Sequence, residues 1–152
     1  MDERTFARVV EAYARRLYAV AYRLLGNRAD AEDAVQRAVL KAFEARASYA
    51  PRWAVSTWLY RVLTNVCIDE LRQRRRTPPE PLPRGRPGSA VERLDLTRAL
   101  ETVPREARVL LALHYVNGLG YPELAAIRGI SVNTVKSQLA RGKAILKRAL
   151  EE

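Results

Sequence analysis

Residues 121–139 read YPELAAIRGISVNTVKSQL, and this stretch decides the fold. Two helices that cross steeply need a small residue where their backbones approach, and Ala125 supplies it. The tight turn between them needs a left-handed residue, and Gly129, four positions on, takes that conformation without strain. Ser131 then stands at the N-cap of the second helix, ahead of Val132. Val132, Val135, Leu139 and Leu146 form an inward stripe, which leaves Asn133, Thr134, Lys136, Ser137 and Arg141 facing outward near the helix start. The pattern predicts a helix-turn-helix. In that motif the N-terminal part of the second helix meets base edges in the major groove. Asn133, Thr134 and Lys136 are the base-edge candidates; Arg141, Lys143, Lys147 and Arg148 face phosphate or solvent. The bland reading is a helical bundle with a solvated polar face. The small residue, turn glycine, cap and basic face agree with one another and against it.

Working outward, helices are expected at about 92–102, 104–117, 122–128 and 132–150. Pro104 and Pro122 lie where a first turn tolerates proline. Upstream, five of the eight prolines (Pro78, Pro79, Pro81, Pro83 and Pro87), with Gly85 and Gly88, fall between Thr77 and Ser89. Such a stretch cannot form a helix interior or a central strand. It divides the chain into residues 1–76, a flexible linker 77–91, and residues 92–152. A tether of about 15 residues at ~3.1 Å each spans at most ~45 Å. Two lobes so joined can touch one duplex a helical turn (~34–36 Å) apart.

The first lobe is also helical. Phe6, Val9, Val10, Tyr13, Leu17, Val20, Ala21, Leu24 and Leu25 recur at three- and four-residue steps, and Gly26 offers a C-cap. Asp30 with Asp33 resembles a capping box, followed by an apolar stripe of Val35, Val39, Ala42 and Phe43. The acids Asp30, Glu32 and Asp33 are better explained by the helix dipole than by a metal ion. A third helix, from about Ser56 to Gln73, sets Trp58, Tyr60, Arg61 and Asn65 within eight residues and ends near Arg72 and Arg74–Arg76. Tyr49 and Trp53 precede it. Rings beside arginines suit single-stranded DNA, because bases stack on rings while guanidinium groups neutralise phosphates. Asn65 suits the edge of an unstacked base. Trp58 fits the apolar stripe as well as it fits a contact surface, so both readings stand. The run Arg74–Arg76 reads equally as a solvated helix end. No segment alternates long enough for a strand, and the fold class is all-α: two small helical domains joined by a Pro-rich linker.

Composition narrows the function. The 152 residues carry 27 Lys and Arg against 17 Asp and Glu, a formal charge of +10, and both lobes are net basic. A polyanion is the expected partner. No apolar run approaches the roughly 18 residues of a membrane span, so no membrane is implied. One cysteine (Cys67) and one histidine (His114) exclude an internal disulfide and a structural zinc site, and they disfavour Cys–His or Ser–His catalysis. A cytoplasmic setting follows, with no cofactor implied. No convergent set of acid, base or metal ligands supports an enzyme.

Taken together, these motifs resemble the extracytoplasmic-function (ECF, group IV) sigma factors of bacterial RNA polymerase. Residues 5–76 resemble sigma region 2, and residues 97–150 resemble sigma region 4. The resemblance implies a non-catalytic promoter-specificity subunit whose partners are core polymerase (clamp and flap) and promoter DNA, double- and single-stranded. It implies that residues 30–45 dock on the clamp, with Asp33, Gln36 and Lys41 in contact. It implies −10 capture and melting by Tyr49, Trp53, Trp58, Tyr60, Arg61, Asn65 and Arg72, and −35 reading by Ser131, Asn133, Thr134, Lys136, Ser137 and Arg141. Arg37 and Val39 depart from the acid and aromatic common in the family, and Gln138 and Ala140 replace residues that are often basic. Nothing follows Glu152, so no C-terminal sensing domain is expected, and an anti-sigma factor, if one exists, is expected as a separate protein. The rival reading is an autonomous helix-turn-helix regulator that binds duplex without polymerase; the aromatic, Arg-rich first lobe is the feature against it.

Overall fold

In α1 (Glu3–Leu25), Asp2 caps the first turn by accepting the Thr5 amide at 2.7 Å. Gly26 ends the helix in the left-handed region at φ 82°, donating to the Tyr22 carbonyl at 2.8 Å. The computed structural model describes residues 1–49, 54–74 and 89–151. Trp53, Arg75, Arg76 and most of the Pro-rich stretch lie outside them. Among the described residues every regular element is helical.

Helix α2 (Arg28–Glu44) starts one residue after Asn27, and that start corrects the expected capping box. The Asn27 side chain accepts the Asp30 amide at 2.8 Å and donates to the Asp30 carboxylate at 2.9 Å. The reciprocal pair is therefore Asn27 with Asp30, not Asp30 with Asp33. The buried line of α2 is also different: Ala31, Ala34, Ala38 and Ala42 face the core, while Val35, Val39 and Phe43 are only half-buried. Alanines at three- and four-residue spacing let the α2 backbone lie close against α1 and α3 (Val55–Arg74), and a 3₁₀ turn at Arg46–Ser48 follows α2.

Helix α3 is enclosed on most of its circumference; Trp58, Leu59, Tyr60, Leu63, Thr64, Val66, Cys67, Ile68 and Leu71 are all buried. Its last residue does structural duty. Arg74 donates to the Leu25 carbonyl at 2.7 Å, pairs with the Asp30 carboxylate, and has Glu70 at 3.8 Å. It thereby satisfies a carbonyl left open at the end of α1. The Asn27 hydrogen bond, helped by Arg74, holds the Asp30 carboxyl below its ordinary pKa. Burial pushes the Cys67 thiol up to about 12. Native protein at pH 8 should therefore leave Cys67 unlabelled by iodoacetamide, with one equivalent taken up in urea. Stoichiometric labelling without denaturant would contradict the packing of α3.

The second lobe comprises α4 (Ser89–Glu101), α5 (Arg105–Asn117), α6 (Tyr121–Arg128) and α7 (Val132–Glu151). Helix α4 begins three residues before the expected 92, so Ser89–Val91, read as linker, are helical. Arg108 is buried where α4 turns into α5, and its guanidinium donates to the Val103 carbonyl at 2.9 Å and the Glu101 carbonyl at 3.1 Å. Gly142 lets α7 approach α5, since a Cβ there would meet Leu111 at 3.1 Å and Ala107 at 3.2 Å. The two lobes do not stand apart. Helix α5 packs on α1 and α6 on α3, and one buried cluster runs from Phe6 through Leu63 to Leu139.

Candidate nucleic-acid interface

The turn between α6 and α7 is built as its residues dictate. Gly129 takes φ 65°, and the amides of Gly129 and Ile130 both return to the Ala125 carbonyl, which closes α6. The Ser131 hydroxyl accepts the Thr134 amide at 3.1 Å, opening α7 with a side-chain cap. Val135 and Leu139 are buried, but Val132, in the first turn of α7, is exposed and does not belong to the inward stripe. Ser131, Asn133, Lys136, Ser137 and Arg141 are exposed and Thr134 is half-buried. The six candidates thus share the open side of one helix start. Lys143 instead lies over the Tyr115 ring, at 5.6 Å from its centroid.

On α3 the candidates divide. The Trp58 ring is buried, edge-on to Phe6 at 6.4 Å and tilted against the half-buried Tyr49 at 5.1 Å. Tyr60 is 1% exposed, and its hydroxyl accepts the Asn117 side-chain amide of α5 at 2.7 Å. Burial raises the Tyr60 pKa, with that hydrogen bond opposing the shift. Trp58 and Tyr60 are therefore core residues in this structure, which for Trp58 is one of its two readings and for Tyr60 runs against the expected ring open to bases; α1 covers the first and α1 with α5 the second. Arg61 donates to the Ala126 carbonyl of α6 at 2.8 Å. Asn65 is exposed, and its side-chain oxygen accepts from Arg128 of α6 at 3.1 Å. Arg72 is exposed beside Asp69, 3.8 Å away.

On α2, Asp33, Gln36 and Lys41 are exposed. Gln36 borders an apolar groove formed by Phe6, Val35, Val39, Leu40 and Phe43, in which Leu40 is 58% exposed. The three acids in the first two turns of this helix are engaged in protein contacts: Asp30 as above, Glu32 with Arg28 at 2.9 Å, and Asp33 with Arg37 at 3.6 Å. Sequence reasoning missed Asn117, Arg128, Glu106 and Gly142. Only Gly142, a glycine inside a long helix, carried a signal that could have found it.

Residues 9–77 match the family model for sigma-70 region 2, and residues 93–146 match that for sigma-70 region 4. The ECF RNA polymerase sigma factor SigW of Bacillus subtilis is 30% identical over 173 aligned residues, covering 99% of this chain and 91% of SigW. The chain belongs to the ECF RNA polymerase sigma factors. Among its relatives is the ECF sigma factor SigE of Mycolicibacterium smegmatis, 35% identical over 91% of this chain, which spans 59% of SigE's length. Two solved structures superpose on this sigma factor, each with a TM-score of 0.78. One is the sigma factor RpoE bound to the anti-sigma factor NepR from Bartonella quintana (25% identical, 97% of each chain). The other is CnrH in complex with the cytosolic domain of CnrY (26% identical, 99% of this chain and 90% of that one). No helix among the described residues is long and apolar enough to cross a membrane.

Proposed function

We propose that this sigma factor directs bacterial core RNA polymerase to promoters by two separate contacts with DNA and helps open them, in the cytoplasm and without chemistry of its own. Region 4 reads the −35 duplex through the start of α7, with Ser131, Asn133, Thr134, Lys136, Ser137 and Arg141 in the major groove. Region 2 captures the −10 strand through the side of α3 that carries Arg61, Asn65 and Arg72, where Asn65 addresses a base edge and Arg61 and Arg72 address phosphates. Tyr49 and the segment bearing Trp53 complete that surface. The α2 groove with Asp33, Gln36 and Lys41 seats on the polymerase clamp, and region 4 rests on the flap. An anti-sigma factor is a further partner, a reading supported by the anti-sigma factor NepR bound to one of the structural neighbours. The Pro-rich linker, residues 77–91 as read from sequence, separates the two DNA contacts.

The observation that carries this reading is the exposed polar face behind the Ser131 cap, in a chain that also holds region 2. Unstacking a base costs a few kcal/mol, and stacking returns ~1–3 kcal/mol per base, so capture becomes favourable once polymerase holds both lobes in place. Run-off transcription with purified core polymerase on a genome-wide template library should yield defined start sites only when the chain is added. Unchanged start sites with and without it would overturn the reading. Tight binding of the isolated protein to duplex promoter would instead favour an autonomous regulator.

A further inference from the structure

Helix α1 packs through Phe6, Leu17, Val20, Ala21 and Leu24, all on one side. Each residue advances a helix by about 100° around its axis. That places Arg4, Arg8, Arg15, Arg16 and Arg23 together on the opposite side, within an arc of about 120° and a length of about 28 Å. The first four are exposed and Arg23 is half-buried. Of the two acids of α1, Glu11 stands at the margin of this arc, and Glu3 is turned toward Arg46, 3.8 Å away. These arginines differ from the others of the lobe. Among the described residues of region 2, Arg28, Arg37, Arg72 and Arg74 pair with carboxylates, and Arg46 and Arg61 donate to backbone carbonyls at 2.7 and 2.8 Å. Arg4, Arg8, Arg15 and Arg23 enter no ion pair or side-chain hydrogen bond among the described residues, and Arg16 lies over the Tyr13 ring at 5.8 Å.

We propose that the outward side of α1 is a third DNA contact, one that grips the phosphates of the duplex beside the −10 element without reading its sequence. The proposal rests on the reading of this chain as the promoter-binding subunit of a holoenzyme. Helix α1 packs on α3 in the same lobe, so a duplex held by α1 adjoins the strand that α3 captures. Charge complementarity selects the occupant. Guanidinium groups with no carboxylate of their own face a rod that carries one negative charge per ~1.7 Å of its axis, and each fork can bond two phosphate oxygens. A protein surface fits less well. Such an interface is built round an apolar core, and here only Thr5, Ala12 and Ala19 lie between the charges. Phosphate contacts fix register and orientation and carry no base information. Helix α1 thereby steadies the duplex while α3 and α7 do the reading.

The test is promoter binding by the complete holoenzyme, with the full chain saturating core polymerase, across a series of salt concentrations. Each phosphate contact contributes about 0.9 to the slope of log affinity against log salt. Arg8→Gln with Arg15→Gln should therefore flatten the slope by about 1.8 and lower affinity by up to about 60-fold at 0.1 M salt. The same loss should appear on templates whose −10 or −35 sequence is altered. Both side chains are exposed, so the urea midpoint of this variant should hold. Arg8→Lys with Arg15→Lys keeps both charges and should retain the slope, as should Arg28→Gln, whose guanidinium is paired with Glu32. A folded glutamine variant with the wild-type slope would overturn the α1 contact. A loss confined to affinity for core polymerase would overturn it too, and would make the partner an acidic protein surface. If the wild-type holoenzyme binds promoter no better than core enzyme alone, it is the underlying reading that falls.

Discussion

Trp58→Ala is expected to destabilise the protein by about 3–5 kcal/mol, the usual cost of emptying a buried indole site. The indole is 8% exposed and holds Phe6 and Tyr49 against the start of α3. Removing it leaves a void where α1, α3 and the 45–49 turn meet, and the rings around it are too large to collapse into that void. A chain of this size has about 5–15 kcal/mol of stability in all, so the loss is severe. Urea denaturation should show a lower midpoint with little change in slope, and Trp58→Phe, which keeps a ring against Phe6, should recover most of it. Polymerase binding and promoter opening should then fall together in Trp58→Ala. A variant with wild-type urea midpoint that fails only in promoter opening would return Trp58 to the DNA surface.

That expectation reverses one of the two sequence readings of Trp58, and the reason is general to α3. A helix with apolar residues on most sides shows no single buried face in its periodicity. Trp58 is covered by Phe6 of α1 and by Tyr49, and for Tyr60, Thr64 and Asn65 the partners arrive with α5 and α6, 57–64 residues away in sequence. The helix-turn-helix was legible for the opposite reason. Gly129, Ser131 and Ala125 act on backbone within a few residues of themselves, so their types alone dictate the turn and cap. In α2 the error came from weighing apolar side chains by size. The alanines that form the seam are small because the neighbouring backbones are close, and the larger Val35, Val39 and Phe43 are displaced to the groove.

Charge is legible in the sequence only as a sum. The excess of arginine points correctly to a polyanion, but not every guanidinium is available to one. Arg74 closes the end of α1, Arg108 ties α5 to the end of α4, and Arg128 pairs with Glu106 while bridging the lobes. Each bonds to backbone carbonyls or to carboxylates that would otherwise be left open or unpaired. Net charge cannot separate these from Arg72 or Arg141, which are exposed. A sum over the chain thus predicts the class of partner and overstates the number of contacts.

The double substitution Asn133→Ala with Lys136→Ala should have the largest effect on promoter choice and almost none on stability. Both residues are exposed at the start of α7, one turn apart, and the buried residues of that helix are Val135, Leu139 and Gly142. Exposed helix positions of this kind shift stability by about 0.5 kcal/mol or less. A good side-chain pair to a base edge is worth about 1–3 kcal/mol, or roughly 5- to 150-fold in discrimination. Transcription by the reconstituted holoenzyme from its own −35 sequence should therefore drop by at least about tenfold while the thermal midpoint holds. The single variants sort the roles. Asn133→Ala should relax preference at one base pair in a −35 substitution library. If Lys136 meets phosphate, Lys136→Ala should weaken every template alike and lower the salt dependence by about one charge; if it meets a base, preference should change at one position and the salt dependence should persist. Ser131→Ala is the contrast, because it removes the cap that positions both side chains and should cost about 1 kcal/mol of stability along with promoter binding. Undiminished transcription by the folded double variant would mean that α7 does not read the −35 element through its N-terminal turn, and the site would have to be sought on another side of region 4.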